Sequence, residues 1–404
     1  MAVRDHGGAR RRPRPKRPAF TLEGGLWHNA AFRSILWQVL LVAAVLGAVA
    51  YMAANAQEAL AKRGVATGFA FLWREAGFPI GEGLLPYRST DSYLRAFAAA
   101  ITNTLTVSIA SIIAATLLGV LLGFGRLSSN WFLARFSALY VEIFRNTPQL
   151  VQLSFWYLLM TQAPGPRQAW NFQDAIFFCN RGLIFPAPLA HPAHAWMLAG
   201  LGLGCAAAYG LHRWAAAYRD RTGNAVSIMM PCIAVIAGPP LAAWMFAGRP
   251  WGWSVPSMGG FNFEGGSAIS PEFLVLFLGL SLYIAAFIAE IVRSGIQSVG
   301  RGQIEAAKSI GLKPGRIQRR IVLPQALRVM IPPAASQYVS LTKNSSLGVA
   351  IGYPELFSVT NSAITLSGQT IECMALMAAC YLLIAVSISG LMNGVNSLVQ
   401  IKER

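Results

Sequence analysis

The sequence predicts an all-α protein that crosses a membrane eight times. Three observations carry that prediction. Of its 404 residues, 55% are hydrophobic and only 12% are charged, about half the charge of a soluble domain. The apolar residues are gathered into runs near or above the ~20 needed to span a bilayer as helix. The Lys and Arg residues then fall mainly on one side of the alternation that those runs impose. They number 22 on segments 1–34, 125–135, 212–224, 292–325 and 400–404, against 8 on 55–96, 162–194, 247–270 and 352–372. Basic residues are retained on the cytoplasmic side, which puts both termini there.

In chain order, residues 1–34 form a basic tail, with Arg10, Arg11, Arg12, Arg14, Lys16 and Arg17 among Pro13, Pro15 and Pro18. Such a segment is expected to be disordered at the membrane surface, and it lacks the pattern of a cleavable signal. Spans are predicted at 35–54, 97–124, 136–161, 195–211, 225–246, 271–291, 326–351 and 373–399. Residues 55–96 make an outer connection with an interfacial elbow at 69–73, where aromatic rings favour the headgroup layer. Residues 162–193 and 248–270 are expected to be irregular outer loops. Residues 400–404 form a short cytoplasmic tail.

Several chemistries are excluded. Cys179, Cys205, Cys232, Cys373 and Cys380 have no metal-ligand spacing and are expected to act as small apolar residues. No metal site, catalytic triad or redox centre is evident. No Gly-rich phosphate loop ends in Lys-Ser/Thr, so this chain does not hydrolyse ATP itself. The net charge of +17 lies in tails and loops of one topological side, which argues against a nucleic-acid partner.

The most distinctive stretch is Glu305–Pro324, EAAKSIGLKPGRIQRRIVLP. Glu305–Ile310 is expected to be a short helix with Ala306 and Ala307 on its surface. Gly311 supplies a left-handed stop, and Lys313-Pro314-Gly315 a turn. Arg316 then opens a second helix. The result is a basic knob on the cytoplasmic side, shaped to be gripped by another protein.

Polar residues inside spans suggest function by default. Glu142 and Arg145 are three apart, as are Glu290 and Arg293, so each pair can meet on one helical face. A structural ion pair and a functional role both remain open for them. Pro148 can bend its helix, and Gln149 and Gln152 lie just beyond it. Asn103 sits in a polar stripe with Thr102, Thr104, Thr106 and Ser108. Lys343, Asn344 and Ser345 interrupt an apolar helix, where a lysine needs a partner or a wet cavity.

These motifs carry a resemblance. Glu305-Ala306-Ala307, Gly311, Ile321 and Leu323-Pro324 match, at fixed spacing, the cytoplasmic loop of bacterial ABC importer permeases. Glu142, Phe144, Arg145, Thr147, Pro148, Leu150, Val151 and Gln152 resemble the signature of the polar amino acid subfamily. Gly352-Tyr353-Pro354-Glu355-Leu356 resembles it too, although many members have Asp where this chain has Asn344. The resemblance covers about 97–161 and 271–399 and implies a five-helix type I importer core. Residues 35–96, with an extra span, and 162–270, with two more, lie outside that core, as in long permeases of the general or acidic L-amino acid type.

The resemblance further implies a coupling loop, 301–324, docked on a pair of ATPase subunits that hold ATP and Mg. It implies a second, different permease, a periplasmic amino acid-binding protein and a place in the inner membrane. Asn103, Gln149, Gln152, Lys343, Asn344 and Ser345 are then candidates for the substrate path. Two other classes stand beside it: an ion-coupled transporter using Glu142 and Glu290, and a membrane scaffold that transports nothing. Uptake that stops with vanadate, yet persists with an uncoupler at fixed ATP, is the result expected of the importer. The opposite pattern would identify the ion-coupled transporter.

Overall fold

The computed structural model describes residues 30–62, 67–189, 191–224, 226–248 and 252–399. The tails expected at 1–29 and 400–404 lie outside the described residues. The chain divides into two units, 1–69 and 70–404. The described part of the first includes α1 (Ala30–Lys62), apolar over Phe32–Met52. Its last turn carries an exposed Glu58–Lys62 pair at 2.8 Å.

The second unit is built from α2 (Tyr93–Arg126), α3 (Trp131–Asn146), α4 (Gln149–Thr161), α5 (Pro192–Thr222), α6 (Met229–Phe246) and α7 (Pro271–Gln297). These are followed by α8 (Arg301–Ser309), α9 (Pro314–Ile317), α10 (Leu323–Asn344), α11 (Leu356–Ser367) and α12 (Thr370–Val399). The helix starts obey local chemistry. Ser92 caps α2, Asn130 caps α3 and Ser270 caps α7, each side chain accepting a backbone N–H of the first turn, as these residue types do.

Among the described residues, six helices are long and apolar enough to cross a membrane: Phe32–Met52 within α1, α2, α5, α6, α7 and Thr370–Ser397 within α12. The span expected at 136–161 is instead two helices, α3 and α4, parted at Thr147-Pro148. Thr147 is extended and Pro148 opens the next helix, because proline cannot donate the helical bond and pushes its predecessor out of the α region. The span expected at 326–351 is α10 followed by a 3₁₀ segment, Ser345–Ile351, which ends at Gly352 with φ +84°.

The core is centred on α7. α2 runs parallel to it, with Ser111 opposite Phe277, Gly119 opposite Ala285 and Ile288, and Gly123 opposite Ala289 and Val292. Ser111, Ala115, Gly119 and Gly123 recur every four residues and form one small-residue stripe. A Cβ at Gly119 would lie 2.6 Å from Ile288 Cβ and 2.9 Å from the Ala285 carbonyl oxygen. The stripe brings two backbones together, which is how helices associate in lipid, where apolar burial gives no advantage.

The fold is not all helical. Among the described residues, the outer segments expected to be irregular contain eight short strands: β1 (Trp170–Phe172), β2 (Ile176–Cys179), β3 (Gly182–Phe185), β4 (Ala187–Pro188), β5 (Trp253–Ser254), β6 (Ser257–Gly259), β7 (Asn262–Glu264) and β8 (Ser267–Ile269). One antiparallel sheet has the order β1-β2-β3-β8, with β4-β5 and β6-β7 as separate pairs. These strands bracket the α5–α6 hairpin, whose helices meet through Gly200 and Gly204 against the backbone of Val235–Pro240.

Gly119→Leu should therefore wedge α2 off α7, at more than the ~1–3 kcal/mol usual for overpacking. Gly210→Leu, on an open face of α5, should be neutral. Thermal unfolding of the detergent-purified protein distinguishes them. An unchanged Tm for Gly119→Leu would contradict the close seam.

Candidate coupling knob and polar path

The knob folds as a closed helix end. Gly311 has φ +80°. Its N–H donates to the Lys308 carbonyl at 2.9 Å, and the Leu312 N–H donates to the Ala307 carbonyl at 3.1 Å. These two bonds form a Schellman motif and occupy carbonyls that α8 would otherwise leave free. Leu312, Ile304, Ala307, Ile317 and Val322 pack into the main core. Ala307, expected on the surface, is thus buried, since the turn at Gly311 folds its face inward. Glu305, Ala306 and Ile310 point outward, Ile310 with 75% of its surface exposed. An apolar side chain so exposed on a basic knob is a functional candidate that the motif spacing did not disclose.

From Pro314 to Asn344 the chain is helical throughout, through a π-helical turn at Gln318–Val322. Leu323 N–H reaches five residues back to the Gln318 carbonyl. The wider turn accommodates Pro324, which has no N–H to offer and whose ring would crowd a regular turn. Ile321 and Pro324 are half-buried, and Leu323 is exposed.

Above the knob, Glu290 and Arg293 are bonded on α7, with Arg293 Nε 3.2 Å from both carboxylate oxygens. Arg126, at the end of α2, donates to the same carboxylate. One acid therefore ties two helices. The expected Glu142–Arg145 pair is not formed. Both side chains are exposed, and the Arg145 guanidinium lies 5.3 Å from the Phe287 ring centroid, where ring and cation attract.

The break between α3 and α4 collects polar groups. Gln152 Nε2 donates to the Phe144 carbonyl at 3.0 Å and the Thr147 carbonyl at 3.1 Å, groups that the broken helix leaves free. Asn344 Nδ2 donates to Gln149 Oε1 at 2.7 Å. Gln149 and Gln152 are each only 7% exposed, yet Gln149 Nε2 and Gln152 Oε1 have no partner. Lys343, next to Asn344, is exposed and makes no ion pair among the described residues. Ser345 is fully buried, its hydroxyl donating to the Thr342 carbonyl at 2.7 Å.

Residues 200–400 match the model of the family described as binding-protein-dependent transport system inner membrane component. The general L-amino acid transport system permease protein AapQ of Rhizobium johnstonii is 41% identical over 93% of this chain and 94% of its own. The chain belongs to the permease subunits of amino acid ABC importers. The glutamate/glutamine/aspartate/asparagine transport system permease protein BztB of Rhodobacter capsulatus is 37% identical over 94% of this chain and 96% of its own. A crystal structure of an amino acid ABC transporter with histidines overlays 76% of this chain and 94% of that one, at 19% identity and a TM-score of 0.44. The permease is a membrane-embedded transport subunit and not itself an enzyme.

Asn103, another candidate for the path, lines an outer hollow of about 340 Å³ with Glu82, Thr106 and Tyr353. Its Nδ2 donates to the Glu82 and Pro354 carbonyls, both at 2.9 Å, strapping the outer connection across the end of α2. Thr104 Oγ1 accepts the Leu356 N–H at 3.0 Å. Glu355 caps α11 through the N–H groups of Phe357 and Ser358 and accepts a bond from the Tyr381 hydroxyl, each at 2.8 Å. Burial holds its carboxyl above the ordinary carboxylate range, and those three donors offset only part of the rise.

Gln152→Leu should leave two carbonyls at the helix break unanswered, at about 1–3 kcal/mol apiece. A lower Tm of the purified permease is expected, with Gln152→Asn intermediate. Wild-type stability in Gln152→Leu would show that the side chain does not mend the break.

Proposed function

We propose that this permease carries polar L-amino acids, of the glutamate, glutamine, aspartate and asparagine class or a broad range, past the break between α3 and α4. One observation carries the reading: the helix from Pro314 to Asn344 joins the knob to the polar groups. At 1.5 Å per residue it is about 45 Å long, more than the ~30 Å hydrocarbon thickness. A push on the knob therefore reaches Lys343 and Asn344 directly.

The first turn of α4 offers N–H groups and the positive end of a helix dipole. Lys343 and Gln149 Nε2 add donors of the kind a carboxylate needs, and Gln152 Oε1 adds an acceptor for an ammonium. The substrate class is supported by what the two relatives are named for.

Outside the path, α3 with α4 make one crossing and α10 another, which with the six apolar helices gives eight, both termini being cytoplasmic. α2, α3–α4, α7, α10 and α12 form the five-helix core. A pair of ATPase subunits, carrying ATP and Mg, docks on Glu305, Ala306 and Ile310, held in place by Ala307, Gly311, Ile321, Leu323 and Pro324. A second, paralogous permease and a periplasmic binding protein complete the importer in the inner membrane.

Ile310→Asp should lower substrate-stimulated ATP hydrolysis and uptake by about tenfold or more, as loss of a central apolar anchor does, with insertion and Tm unchanged. Gly311→Asp and Glu305→Lys should uncouple in the same way. Normal stimulation in Ile310→Asp and Glu305→Lys would refute the docking corner. In competition assays, failure of every polar amino acid to enter would refute the substrate class.

A further inference from the structure

We infer that the outer insertion forms a site for one anionic phospholipid, with an acyl chain under the sheet and the phosphate on Arg167 and Arg181. A cavity of about 500 Å³ lies between the strands and the outer ends of α4 and α7. Trp156, Met160, Trp170, Phe178, Leu183 and Leu278 are among the residues that line it. Gln162 supplies the one side-chain amide of its wall. An amino acid zwitterion in such a space would lose its hydration without replacement, so the cavity suits a hydrocarbon chain instead.

Its depth agrees. Leu278 is two turns into α7 from Pro271, about 10 Å below the outer end of that helix. Leu158 and Leu159 on α4 are exposed beside it, a face that meets the outer leaflet. Trp170, stacked on Phe178 at 5.5 Å, marks the interfacial level where such rings concentrate.

The headgroup end is basic. Arg167 and Arg181 line an adjoining hollow of about 310 Å³ together with Phe261. The Arg167 guanidinium stands 4.6 Å from the Phe261 ring centroid, and that ring is 77% exposed. Among the described residues neither arginine is paired with a carboxylate. The two hollows are joined by the backbone: the Asn180 N–H donates to the Pro164 carbonyl at 2.9 Å, and Pro164 lines the apolar cavity. Two of the 8 basic residues counted on the outer side are thus gathered over the mouth of an acyl-sized space. Guanidinium forks suit phosphate oxygens.

Native mass spectrometry of the detergent-purified, full-length permease, titrated with phosphatidylglycerol or phosphatidylcholine, tests the site. One tightly retained phosphatidylglycerol is expected, with weaker retention of phosphatidylcholine. The exposed double variant Arg167→Ala/Arg181→Ala should lose that preference by about 10- to 30-fold, from ~1 kcal/mol for each arginine near a phosphate. Leu278→Trp should fill the cavity and reduce retention of both lipids. The inference is overturned by equal retention of the two lipids in the wild type, or by a preference that survives in the double variant. It is also overturned if the double variant loses docking of the periplasmic binding protein while its lipid retention is unchanged, which would give the arginines to a protein partner.

Discussion

Backbone contact between α2 and α7 is the constraint on which the rest of the structure depends. In lipid two apolar helices gain nothing by hiding side chains from each other, so they hold together only where they pack closely. Gly119 and Gly123 remove the atoms that would keep the axes apart, and Ala285 and Ala289, both fully buried, receive them. The same logic repeats around α7. Gly279 accepts Leu153 of α4, Gly295 accepts Met330 of α10, and Leu276 lies against Gly348 of the 3₁₀ segment. α7 is the post, and α2, α4, α10 and the 3₁₀ segment each meet it at a glycine on one side or the other.

That arrangement determines where polar groups can be held. Arg126 and Glu290 close the inner end of the seam three residues beyond Gly123, and Arg293 carries the connection toward the knob. At the other end, Leu153 against Gly279 fixes α4, so that Gln149, one turn earlier, meets Asn344 of α10. The helix break at Pro148 is held open by Gln152, which answers the carbonyls freed there. The knob and the break are thus attached to one post and joined by one continuous helix.

Much of this was legible in the sequence, and the remainder was hidden for physical reasons. α2, α7 and α12 announce themselves by apolar length, and Gly311 by the need for a left-handed residue after a short helix. Glu290 and Arg293 are three apart and do meet, whereas Arg126 is 164 residues away from that acid and no local pattern points to it. Glu142 and Arg145 have the same spacing but do not pair, and the Arg145 guanidinium lies over the Phe287 ring of α7 instead. Pro148 marked a disturbance, and only the extended Thr147 shows a break rather than a bend. The sheet was invisible because its strands are three or four residues long and β3 finds β8 across the whole α5–α6 insertion. The strap through Asn103 was hidden because its two carbonyl partners come from distant loops.

Rigid coupling along the α7 post is tested most directly by distances between spin labels on α2 and α7. Leu121 and Leu278 are both exposed and accept labels without disturbing the seam. In the assembled importer the distance distribution should be the same in nucleotide-free and vanadate-trapped states, while labels at Arg301, exposed on α8, move relative to a binding-protein site. A change of several ångströms between Leu121 and Leu278 on trapping, about a helical turn or a large part of one, would mean that α2 slides on α7 and would contradict the account.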